Sequence, residues 1–115
     1  MTTQPSIHPY LATIREQYKA LQGEAQKRQE ADPEKRYEVA IEYHTPAGEE
    51  IRVDNVYVHP RFGALQIEGW DEDGNPCDVV AHPQSAPLLL RLRLLPPGDE
   101  PRSVGFTPPQ STPTS

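Results

Sequence analysis

The sequence predicts an α+β fold, mainly β, with one N-terminal helix and a small, strongly bent, five-stranded antiparallel barrel. Three observations predict it. Apolar residues near the N-terminus recur every three or four positions, as on one face of a helix. From Tyr37 onward they recur every second position, as in half-buried strands. Glycine- and proline-bearing turns then cut that stretch into five short runs, which suit a small, strongly bent barrel. The chain has 115 residues, 14 prolines and a mean hydropathy of -0.73, so a short core with polar ends is expected.

Residues 1–8 read as a disordered arm. Pro9 suits the first helical position, where a missing N–H costs nothing. Ile7, Leu11, Ile14, Tyr18, Leu21 and Ala25 form a narrow stripe over a helix at 9–31. Asp32-Pro33 ends it, because the residue before proline is driven out of the α region. Leu11, Ile14, Tyr18 and Leu21 are therefore the helix-packing residues, either against the barrel or as a seam with another copy. Residues 37–95 form the barrel. Tyr37, Val39, Ile41 and Tyr43 face one side of a first strand, and Thr45-Pro46-Ala47-Gly48 turns the chain. Ile51 and Val53 restart the alternation, but Val56 and Val58 continue it on the other parity, which predicts a bulge near Asn55. Leu65 and Ile67 lead a third strand to Gly69-Trp70, and Asp71–Asn75 is a hairpin loop. Cys77, Val79 and Ala81 mark a fourth strand and Leu88–Leu95 a fifth. Residues 96–115 hold six prolines and read as a disordered or extended tail.

Charge is unevenly spread. Residues 1–36 carry five acids and six bases, residues 37–95 ten acids and four bases, and residues 96–115 two acids and one base. The barrel thus holds the negative charge, and an acidic barrel disfavours nucleic acid as a partner. No apolar run is long enough to span a membrane, and the start of the chain has no basic-then-apolar leader. The single cysteine, Cys77, excludes an internal disulfide and cysteine-pair zinc motifs, and a cytoplasmic location is expected.

Leu65, Ile67, Trp70-Asp71 and Asn75 resemble the first signature of the Sm-like group of small SH3-like barrels, in which an N-terminal helix precedes five bent strands. Ile41-Glu42-Tyr43, Gly48, Val58-His59-Pro60 and Gly69–Gly74 are similar to the WYL-type barrel. Both resemblances cover about half the chain, residues 37–95, and imply a small bent barrel. The Sm apolar-Arg-Gly turn is replaced by Ala81–Pro87, and the late WYL arginines by Asp78–Ala81. The resemblance therefore speaks for the fold more than for RNA, single-stranded DNA or nucleotide binding.

Several constellations carry chemistry. Asp71, Asp73 and Asn75 have the alternate oxygens of a calcium loop, but Pro76 and His82 stand where glycine and glutamate are needed. His44, His59 and His82 each lie near a strand end and would bind a metal if those ends met. Cys77 sits beside Asp78, which raises a thiol pKa and argues against a nucleophile. No cofactor site and no catalytic residue is expected. Tyr57, Phe62 and Trp70, with Arg91 and Arg93, form the expected binding surface, as an aromatic rim or along the edge of the last strand. The function expected is a non-catalytic binding or assembly module that recognises a protein partner or a second copy. The alternatives are a nucleic-acid or nucleotide-binding regulator and a small histidine-based metal enzyme.

Overall fold

The computed structural model describes residues 9–108. Helix α1 (Pro9–Ala31) is followed by strands β1 (Tyr37–His44), β2 (Glu50–Val58), β3 (Leu65–Trp70), β4 (Pro76–Ala81) and β5 (Leu88–Leu94), with a short 3-10 turn at Pro83–Ser85. The strands form one antiparallel sheet in the order β4-β3-β2-β1-β5. The barrel expected from the sequence is not closed: β4 and β5 are the two edges, and no pairing joins them among the described residues.

The helix docks on this sheet. Leu11, Ile14 and Tyr18 are buried and Leu21 is partly buried, joining Val39, Ile41, Tyr43, Ile51, Val53, Val56, Leu65 and Ile67 in one core. Each fully buried aliphatic side chain there contributes about 1.5–3 kcal/mol. The stripe is thus used within the chain. Beyond Leu21 only Ala25 is partly covered, and the last turns stand in solvent. Ile7 and the arm at 1–8 lie outside the described residues.

The predicted phase change in β2 is a register shift between Val53 and Asn55. Asp54 is the extra residue at the shift, without a register partner on β3, while Val53 before it and Val56 after it both reach the core. Gly69 lies opposite Val53, where the backbones close to the point that a Cβ would collide with the Arg52 carbonyl.

Pairing of β1 with β2 is confined to Glu42–His44 against Glu50–Arg52, whereas β1 pairs with β5 from Tyr37 to Tyr43. Residues 101–108 cross from β1 to β2 beside the unpaired stretches. The Arg102 amide donates to Glu38 Oε1 (2.8 Å), and the Val104 amide donates to the Tyr18 hydroxyl (2.9 Å). Gly105 bridges β2, donating to the Asp54 carbonyl (2.8 Å) and accepting from the Val56 amide (2.9 Å). The Phe106 ring meets Tyr18 edge-on at 5.3 Å. This part of the expected disordered tail is a docked strap. Val104 and Phe106 supply apolar contacts that the surrounding prolines conceal in composition. Residues 109–115 lie outside the described residues.

Candidate functional site

β1 is covered on both faces. Val39, Ile41 and Tyr43 enter the apolar core, while Glu38 and Glu42, on the opposite face, are only 4% and 5% exposed. A carboxylate is buried only where donors or cations replace water. Glu38 meets that condition: Oε2 accepts from the Arg52 guanidinium and Oε1 from the Arg102 amide. Glu42 meets it less completely. Arg91 Nη2 lies 3.1 Å from Oε1 and His44 Nε2 lies 3.5 Å away, yet Oε1 is buried without an aligned hydrogen-bond donor among the described residues.

The register builds this face. Glu38 stands opposite Arg93 and Ala40 opposite Arg91 on β5, and Glu42 stands opposite Arg52 on β2. Farther along, the Trp70 indole donates to Asp54, the Tyr57 hydroxyl donates to Glu68 (3.4 Å), and Asn55 Nδ2 donates to both Glu68 (3.2 Å) and the Thr107 carbonyl (3.1 Å). Burial and the adjacent Glu68 carboxylate raise the Tyr57 pKa above its ordinary value. A small polar pocket lies over the β1–β5 end of this face, lined by Glu38, Arg52, Arg93, Leu95, Asp99, Glu100 and Arg102.

The residues expected to bind are not gathered into one patch. Tyr57 is buried and held by Glu68, so it is not a free stacking platform. Phe62 is 75% exposed in the β2–β3 turn, where it stacks on His59. Trp70 stands at the other end of β3, about 16 Å of strand away from Leu65. Arg91 leans on Glu42, and Arg93 makes no ion pair within the described residues. The arginines on the strands thus share a face with buried acids rather than lining a basic groove.

The three histidines do not converge. His44 ends β1 opposite Glu50, at the start of β2, while His59 follows the far end of β2, about 30 Å of strand away. His59 Nδ1 accepts from the Arg61 amide, and His82 Nδ1 accepts from the Gln84 amide at the start of the 3-10 turn. Asp71 is a turn anchor. Its carboxylate accepts from the Asp73 and Asn75 amides at 2.9 and 2.8 Å, and these hydrogen bonds, that of Asn75 foremost, lower its pKa. Cys77 faces the core side opposite Gly69, and desolvation, with Asp71 nearby, raises its pKa. A thiol so held has little thiolate to offer. A groove of about 600 Å³ is lined by Tyr10, Pro83, Gln84, Pro87 and Leu88, a lining without an ionisable pair suited to acid–base work.

Glu38, Glu42 and Arg102 are the site residues that sequence reasoning missed. Alternation alone placed both glutamates toward water. A signal was present in Arg52 and Arg91, strand cations that pair with the two glutamates from the neighbouring strands. Compared with known proteins, the chain matches no family model, no curated protein and no solved structure at a significant level. Among the described residues no helix is long and apolar enough to cross a membrane.

Proposed function

We propose that the chain is a non-catalytic binding module in which the free edge of β5 takes up an extended segment of a protein partner. The helix followed by five bent strands, the arrangement implied by the Sm-like and SH3-like resemblance, serves as its platform. One observation carries this reading. β5 pairs with β1 through all seven positions from Leu88 to Leu94, while its other side has no strand partner among the described residues. A long unpaired edge is a template for another strand. Leu89 and Leu94 are 42% and 52% exposed there, and the two arginines alternate with leucines. Arg91 and Arg93 disfavour pairing with a basic or like edge and favour a segment that alternates acidic and apolar residues. The separation of Phe62 from Trp70 favours the strand edge over an aromatic rim.

The test is panning of a random-peptide display library against the full chain. The captured peptides should alternate acidic and apolar positions. Arg93→Glu should weaken them at least about 10-fold, because opposed charges become like charges. Capture of sequences without acidic residues, or indifference to Arg93→Glu, would overturn the reading. Salt-sensitive retention of single-stranded RNA or DNA by the unmodified chain would support a nucleic-acid regulator instead.

A further inference from the structure

The geometry points to a binding site for a divalent transition-metal ion of the zinc class at the turn end of the β1–β2 hairpin, formed by Glu42, His44 and Glu50. Glu42 and His44 are two apart on β1 and so share a face, and Glu50 lies directly across from His44 on β2. One ligand atom from each residue falls within 4.8 Å of the others. Zinc holds nitrogen and oxygen ligands at about 2.0–2.1 Å, which places tetrahedral ligand pairs about 3.3 Å apart. His44 Nε2 and Glu42 Oε1 are already 3.5 Å apart. Only the Glu50 carboxylate and the exposed His44 ring need to close in.

A second observation is independent of this clustering. Glu42 Oε1 is a buried anionic oxygen with no aligned donor among the described residues. Such oxygens are rare because they forfeit hydration without replacement. Arg91 supplies charge at 3.1 Å but not a hydrogen bond, and its own side chain is half exposed. It is a placeholder that can swing outward when an ion arrives. An imidazole with two carboxylates suits zinc and its neighbours rather than calcium or magnesium, which take oxygen ligands alone. Three protein ligands leave coordination positions for water or for a side chain of a bound molecule. The edge-binding reading does not require this site.

The experiment is calorimetric titration of the full chain with Zn²⁺, and of variants whose fold is checked by circular dichroism. One ion should bind per chain. His44→Ala and Glu50→Gln should each weaken it at least about 10-fold, a loss that even an outer-shell change can produce. Arg91→Ala should tighten it by removing the competing cation, an outcome that a purely structural role for Arg91 would not give. His59→Ala and His82→Ala should leave it unchanged. With Co²⁺ as the probe, visible absorption should appear in the unmodified chain and disappear in His44→Ala. Absence of stoichiometric binding, or binding that survives His44→Ala, would overturn the proposal.

Discussion

The two faces of β1 are buried to similar depth by opposite chemistry. On one, Val39, Ile41 and Tyr43 lie under the helix and need nothing but shape. On the other, Glu38 and Glu42 are covered by Arg52, Arg91 and the strap residue Arg102, and each carboxylate oxygen must be matched individually. An apolar face stabilises without direction. A charged face adds little net stability once desolvation is counted, but it fixes geometry and leaves polar groups in defined places. The first face therefore holds the fold. The second borders both the open β5 edge and the hairpin triad of Glu42, His44 and Glu50.

The apolar face gives the largest expected loss. Ile67 is fully buried, and Ile67→Ala should cost about 2–5 kcal/mol by urea denaturation. A smaller loss than that of any polar-face variant would invert the comparison. Next comes Glu38→Ala, which leaves Arg52 unpaired beneath the strap. Because Arg52 is one-third exposed, the cost should be about 1–3 kcal/mol, below that of breaking a fully buried pair. Replacing both Glu38 and Arg52 with Met should recover much of this, since no charge is then stranded. If the double variant is no better than the single, the bond from the Arg102 amide outweighs the ion pair.

The strap should contribute less. Phe106→Ala removes a partly buried ring and should cost about 1–2 kcal/mol, below the range for a fully buried phenylalanine. Faster hydrogen exchange at the Val56 amide, which is bonded to Gly105, should accompany the loss. The smallest effect is one of pH. The fold favours the neutral form of Tyr57, whose pKa is raised by burial and Glu68. Its contribution is therefore complete below the ordinary tyrosine value and is lost as pH rises through and beyond it. Tyr57→Phe should flatten the alkaline fall in stability; an unchanged fall would place its cause at other groups.

Much of this architecture is legible in the residues. The spacing of Leu11, Ile14, Tyr18 and Leu21, the alternation from Tyr37 and the parity change at Asn55 correspond to the helix, the strands and the bulge, because local periodicity reports directly which side is apolar. Closure is not local. Whether β4 meets β5 depends on curvature summed over five strands, and the sheet stays open. The strap was hidden because Val104 and Phe106 are only two apolar residues among prolines, and what they cover is set by the divergence of β1 from β2. The buried glutamates were hidden for a related reason. Alternation assigns a polar residue to the outer face, but it does not say what covers that face.

The most direct measurement is residue-resolved amide hydrogen exchange along β5, in the monomeric chain and with a captured peptide bound. The free chain should show protected amides bonded to β1 alternating with fast amides on the open side, and the fast set should become protected on binding. Uniform protection before any peptide is added, or fast amides that binding leaves unchanged, would contradict an edge open for recognition.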